Sequence, residues 1–268
     1  MAEAYIVGAV RTAGGRRGGA LSGIHANDLG AKALNAVVER SGVDPDSIED
    51  VIMGCVTQAG EQSSHIGRHC VLASDLPEKT PAVSIDRQCG SSQQSIHFAT
   101  QAILSGTQDV VIAAGVESMS RAPMGSSTLR DHGVEVISDT IKDRYSIKGF
   151  SQFGGAEMIA KKHGFSREDM DNYGLRSHQK AAAAVEADAF GDEIVPVEIT
   201  TPDGERKLHT TDEGIRYNAN PEGMAGVKLL KDDGRLTAAT SSQICDGSSA
   251  VLIMSERAVK AQGLTPLA

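Results

Sequence analysis

The 268-residue sequence contains no Trp and only 5 Phe and 4 Tyr. Its core must therefore come from Ala, Val, Ile, Leu and Met, and it offers few aromatic faces on which single-stranded nucleic acid could stack. Excess positive charge is also missing. There are 26 Lys and Arg against 35 Asp and Glu, a formal charge of -9. This removes the basic field expected of a nucleic-acid or anionic-membrane binder and leaves anionic small ligands to a local basic patch. No apolar run reaches the roughly 20 residues needed to span a bilayer. Met1 to Thr12 lacks the basic n-region and long apolar h-region of a secretory signal. The four cysteines, Cys55, Cys70, Cys89 and Cys245, stand far apart without CxxC or metal-like Cys/His spacing. These features imply free thiols in a reducing cytoplasm, with no metal, nucleic acid or membrane as partner.

The material present is that of a globular protein. Apolar residues make up 40%, with 29 Gly, which excludes both disorder and collagen-like repetition. The first half alternates β-branched runs with helical patterns, implying βαβ units and a mostly parallel sheet. Predicted strands are Tyr5 to Ala9, Asp50 to Val56, Ala82 to Asp86 and Val110 to Ala114. A helix with Leu29, Ala33, Leu34, Val37 and Val38 on one stripe is capped by Asn27 or Asp28 and closed by Gly42. Further helices are predicted over His65 to Ala73 and from Cys89 to Leu104. Between Met119 and Cys245 the alternation stops, as an insertion would make it. This stretch holds a helix begun by a Ser166/Asp169 capping box, with Asp in place of the usual Glu or Gln, and an extended segment from Ile194 to Thr200. Ala250 to Met254 then returns to the buried-strand pattern, and Ser255 starts a last helix ending near Gly263. The abrupt finish at Leu264-Thr265-Pro266 suggests part of something longer.

Among residues that could carry chemistry, Cys89 stands first. It follows a buried-type strand and opens a helix, in Asp86-Arg87-Gln88-Cys89-Gly90-Ser91-Ser92-Gln93-Gln94. There the unsatisfied amides and positive end of the helix dipole stabilise a nucleophilic thiolate. Gly90 lets a substrate approach the backbone. Cys55, in an apolar strand, and Cys70, inside a helix, read as packing, and Cys245 as a turn residue. Gly14 to Gly19 lacks the Gly-Lys-Ser/Thr ending of a phosphate loop and reads as a flexible loop. None of the 8 His has a spacing that marks it as the base for Cys89, and His97 reads as a surface or packing residue.

The run around Cys89, followed by Gly115-Val116-Glu117-Ser118-Met119-Ser120-Arg121-Ala122-Pro123 and by Asp246-Gly247-Ser248-Ser249-Ala250, resembles the thiolases, the acetyl-CoA acetyltransferases and 3-ketoacyl-CoA thiolases of fatty acid metabolism. The resemblance implies an α/β chain forming the N-terminal half of a five-layer αβαβα fold. On this basis residues 1–118 and 246–268 form the N-terminal α/β domain, 119–245 form an inserted loop domain that binds coenzyme A, and the C-terminal domain is absent. It implies acyl-CoA C-acyltransferase activity, with Cys89 attacking the acyl-CoA carbonyl and carrying the acyl group as a thioester. The Cys89 amide would help hold the oxyanion. Coenzyme A is then a substrate, with no bound cofactor and no metal. Arg216 matches a residue near its nucleotide end, and Ala238, Ser242 and Ile244 match the segment along its pantetheine arm. A homo-oligomer, dimer or tetramer, is also implied.

Departures from the family pattern are Ala13 where Pro is common, Ser151-Gln152-Phe153 beside the acyl pocket, and Gly223 where Ser is common. The family's Asn-Glu-Ala-Phe, Gly-His-Pro and Cys-x-Gly-Gly-Gly motifs do not occur in the sequence. The second of these supplies a His that helps activate the nucleophile, and the third an acid/base Cys. Two other readings stand beside the acyltransferase: a non-catalytic acyl-CoA-binding half, and one subunit of a split enzyme. The 268-residue chain by itself is expected not to turn over, whereas a parent with the missing motifs would. Substantial acetoacetyl-CoA thiolysis by the isolated chain, lost in C89S, would overturn that expectation.

Overall fold

A computed structural model describes residues 3–128 and 132–268. The chain opens with β1 (Ala4–Thr12), β2 (Gly15–Arg16), α1 (Ala26–Ser41), β3 (Asp50–Gly54), α2 (Ile66–Ala73), β4 (Ala82–Ile85), α3 (Ser91–Leu104) and β5 (Val110–Ser118). Helices α4 (Asp139–Tyr145), α5 (Gln152–His163) and α6 (Arg167–Glu186) follow. Next come β6 (Ile194–Val195), β7 (Val197–Thr200), β8 (Arg206–His209), α7 (Pro221–Ala225), β9 (Cys245–Ser255) and α8 (Glu256–Gln262). Two compact units result. One gathers the residues up to Ser127 with Gly191–Gly214 and Ile244–Ala268, and the other Thr128–Phe190 with Ile215–Gln243.

The first unit is built on a seven-stranded sheet in the order β4-β3-β5-β9-β1-β6, with β2 also paired to β9. Strand β3 runs parallel to β4 and β5, and β1 parallel to β6. The sheet is not mostly parallel, however, because β9 lies antiparallel between β5 and β1. The chain leaves β5 at Ser118 and re-enters at Asp246 directly opposite, so the returning strand must run backwards. Its alternate residues serve both faces: Ala250, Leu252 and Met254 join the core under α1 and α2, while Ile253 packs with Ala99 and Ile103 of α3. The predicted stripe of α1 is buried at Leu29, Ala33, Leu34 and Val37, and Gly42 closes the helix with φ 71°. Its cap is His25, whose Nδ1 accepts the Asn27 amide at 3.2 Å, and not Asn27 or Asp28.

The glycine-rich segment after β1 is fixed, contrary to its flexible composition. Asp212 accepts the Gly14 amide at 2.6 Å and pairs with Arg11 through two bonds of 2.8 and 3.1 Å. Glu213 accepts the amides of Arg16 (2.9 Å) and Ala20 (3.0 Å). Adjacent carboxylates thus satisfy loop amides that the sheet leaves unpaired. Burial works against the charged form of Asp212, but bonds from Arg11 and the Gly14 amide outweigh it and hold the carboxyl below its ordinary value.

The start of α3 is set by a steric fit. Gly54 and Gly115 are register partners on β3 and β5. A Cβ at Gly54 would lie 2.5 Å from both the Ser91 carbonyl carbon and the Ser92 nitrogen, and one at Gly115 would lie 2.6 Å from Ser92 Cβ. The first turn of α3 therefore rests directly on the sheet backbone.

Two predictions follow from these contacts. Gly54→Ala forces backbone apart and should cost about 1–3 kcal/mol in chemical denaturation, whereas Gly23→Ala, with nothing within 4 Å of the added carbon, should be neutral. Equal effects would show that the helix start yields freely. Asp212→Asn should cost about 1–3 kcal/mol at neutral pH. Because the folded carboxyl is depressed, its contribution is complete above the unfolded value near 3.9 and is lost as pH falls through the lower folded value. The stability gap between wild type and variant should therefore persist down to roughly pH 4 and close below it; a gap that closes at pH 6 refutes the assignment.

Candidate active site

Strand β4 ends at Ile85 and α3 begins at Ser91, so Asp86 to Gly90 must make the connection. Gln88 sits at φ 48°, a left-handed conformation uncommon for a residue with a side chain. Local bonds hold it there. The Gln88 amide donates to Asp86 Oδ1 at 2.7 Å, and Ser91 Oγ accepts the Arg87 amide at 2.9 Å while donating to the Gln88 carbonyl at 2.6 Å. The Gly90 and Ser91 amides close onto the carbonyls of Arg87 (3.1 Å) and Gln88 (3.0 Å). Arg87 also reaches Gln94 Oε1 at 2.5 Å. With Ser91 and Gln94 buried and the turn locked, Cys89 is presented to solvent immediately before Gly90, the N-cap of α3. Gly90 has no capping side chain, so no side chain occupies the positive end of the helix beside Cys89 in the sequence.

Of the four cysteines, only Cys89 is exposed. Cys55 and Cys70 are packed inside, as predicted. Burial, and then the charge of Glu117, pushes the Cys55 thiol far up, and burial with the charge of Asp28 raises Cys70 to about 12. Cys245 is the first residue of β9 and not part of a turn, because its register partner Arg16 extends the ladder. Among the described residues, no His hydrogen-bonds to Cys89. His97 is exposed, His65 caps α2, and His209 is buried with Nε2 on the Ala13 carbonyl at 3.1 Å.

The other two motifs serve the framework at the ends of β3 and β5. Glu117 accepts the amides of Val56 (2.7 Å) and Thr57 (3.1 Å) and the side chain of Gln62 (3.0 Å). Gln62, wholly buried, donates to the Thr57 carbonyl at 2.7 Å and accepts the Ser118 amide at 2.6 Å. Asp246, also wholly buried, accepts the Ser120 amide at 2.8 Å. Arg121 clasps Glu61 with bonds of 2.5 and 2.7 Å. Sequence reasoning placed no function on Gly54, Gly115 or Gln62. A signal existed for the glycines, since each interrupts a buried apolar run, but none for Gln62.

In the second unit α6 is a platform, begun by the predicted Ser166/Asp169 capping box. Arg167 pairs with Asp171 at 2.7 Å and donates to the carbonyls of Met224 (3.0 Å) and Val227 (2.9 Å), tying down the end of α7. Gly174 leaves room for the Ala238–Thr240 turn: an added Cβ would meet the Ala239 carbonyl oxygen at 3.1 Å. His178 Nδ1 accepts the Arg216 amide at 3.2 Å. Positions 167, 171, 174 and 178 lie on one helix face, so the segments that carry Arg216 and Ala238 both rest on that face of α6. Both are exposed, as is Ser242. Ile244 belongs to the first unit, where its carbonyl accepts the Arg17 amide at 3.1 Å. On α5, Glu157 accepts the amides of Arg235 (2.6 Å) and Leu236 (2.8 Å), which hold its carboxyl below the usual range and steady the approach to Ala238. Burial and then the charge of Arg216 keep His178 below the ordinary imidazole value.

No group of three or more His, Cys, Asp and Glu among the described residues could hold a metal ion, and none of their helices is long and apolar enough to cross a membrane.

The family model for the thiolase N-terminal domain matches residues 4–257. A steroid 3-ketoacyl-CoA thiolase of Mycobacterium tuberculosis is 49% identical over 273 residues, covering 100% of this chain and 66% of that protein. A beta-ketoadipyl-CoA thiolase of Acinetobacter baylyi is 41% identical, covering 97% of this chain and 68% of the relative. The crystal structure of human mitochondrial 3-ketoacyl-CoA thiolase superposes with a TM-score of 0.85 at 36% identity, over 98% of this chain and 68% of the human one. The chain thus spans about two thirds of the length of these relatives. Its mixed α/β sheet is that of their N-terminal domain, and the chain belongs to the thiolase family.

Proposed function

We propose that the chain carries the acyl-accepting nucleophile and coenzyme A contacts of an acyl-CoA C-acyltransferase, working in thiolysis of 3-ketoacyl-CoA or condensation of acetyl-CoA. The observation that carries this reading is the exposed Cys89 thiol on a locked left-handed turn at an uncapped helix start. The Cys89 sulfur adds to the thioester carbonyl of acyl-CoA. As the tetrahedral intermediate collapses, the bond to the coenzyme A sulfur breaks, the acyl group stays on Cys89, and coenzyme A leaves as its thiol, the proton given up by the Cys89 thiol being matched through solvent by the one the leaving sulfur takes up. The amide of Cys89 is the donor suited to the transient oxyanion. Arg216, exposed on the α6 platform, supplies a planar cation for the nucleotide end of coenzyme A, with Ala238, Ser242 and Ile244 along the pantetheine arm. Full activation of Cys89 and the acid/base steps need the His and Cys motifs that do not occur in the 268 residues. The coenzyme A-binding role of the insertion at residues 119–245, of which Thr128–Phe190 and Ile215–Gln243 form the second compact unit, belongs to the same reading, as do assembly as a homo-oligomer and residence in a reducing cytoplasm, the last supported by four free thiols.

The test is acylation of the full-length protein that carries this sequence. Incubation with acetyl-CoA, acid quench and intact mass should show one acetyl group on Cys89, released by hydroxylamine and absent in C89S. Coenzyme A binding without any Cys89 adduct would instead identify an acyl-CoA-binding module.

A further inference from the structure

We infer that His178 is the positioning residue for Arg216, fixing it for the nucleotide end of coenzyme A; this rests on the assignment of Arg216 given above. Both ends of the Arg216 backbone are anchored. Its amide donates to His178 Nδ1 at 3.2 Å, and its carbonyl accepts the Ala219 amide at 3.1 Å. The side chain itself is exposed and forms no ion pair among the described residues. An arginine held in this way orders only its own side-chain torsions when an anion or adenine arrives, so less freedom is lost on binding. Acceptance at Nδ1 requires the neutral ring with its proton on Nε2, and the neighbouring Arg216 charge opposes a second cation there. The anchor lies one turn beyond Gly174, which seats the Ala238–Thr240 turn on the same face of α6. A single helix thereby sets the spacing of two proposed coenzyme A contacts.

Asn and Leu separate an acceptor from a packing role. His178→Asn keeps an acceptor oxygen near the Nδ1 position and loses the ring, while His178→Leu keeps bulk and loses the acceptor. Calorimetric titration of the complete chain with coenzyme A should show H178N within about twofold of wild type and H178L weaker by roughly three- to tenfold, with R216A weakened at least as much. Should H178L also lower the melting temperature, H178A removes the acceptor without misplaced bulk and carries the same expectation. If R216A is weakened but H178L and H178A bind as wild type does, or if Leu is tolerated and Asn is not, the positioning role is overturned and the Arg216 site stands. If R216A binds coenzyme A as tightly as wild type, the Arg216 assignment falls and this inference with it.

Discussion

The backbone of α3 lies on two glycines, and the placement of Cys89 depends on that contact. Ser91 and Ser92 approach the ends of β3 and β5 so closely that no side chain fits at Gly54 or Gly115. A helix seated so near the strand ends leaves only Asp86 to Gly90 to turn the chain out of β4. A turn that short puts one residue into the left-handed region, and Gln88 takes that position with Asp86 and Ser91 bonded around it. Such a conformation persists only where its surroundings over-determine it. Here they do, through a glycine bed beneath and side-chain bonds on either flank, and the residue that follows is forced outward. Cys89 is exposed for steric reasons that begin in the sheet.

Strand ends leave amides without ladder partners, and this protein satisfies them with carboxylates. Glu117 serves Val56 and Thr57, Asp246 serves Ser120, Asp212 serves Gly14, and Glu213 serves Arg16 and Ala20. Where such an amide is shielded from water, as at Thr57, an unmade bond would cost more than a made one yields. The acidic residues of two of the three recognisable motifs are therefore structural in this unit, and only the motif around Cys89 exposes reactive chemistry.

Much of the fold was legible because its signals are local. Apolar runs marked β3, β5 and β9, glycine closed α1, and the Ser166/Asp169 pair opened α6. Cys89 was legible for the same reason, since a strand, a cysteine and a glycine in succession describe a junction. The antiparallel course of β9 was not, because direction is set by where the chain re-enters the sheet. Nor was the order of the Gly14 to Gly19 loop, whose partners Asp212 and Glu213 are far away in sequence. His178 left no trace either, since its one informative bond goes to a backbone amide on a distant loop. The cap of α1 was misplaced because His is a weak statistical cap, although its Nδ1 accepts an amide as a carboxylate would.

The two units fix their residues with different stringency, and the chemistry proposed for each accounts for it. Bond formation at the acyl carbon tolerates little displacement, because an error of about 1 Å at the reacting atoms can cost 10²-fold in rate. The Cys89 turn is accordingly held by backbone sterics that cannot relax without separating α3 from the sheet. The proposed contacts to the nucleotide end of coenzyme A would touch no reacting atom and act equally on ground state and transition state, which favours binding without accelerating the chemical step. Single hydrogen bonds and one small residue on α6 suffice for that task.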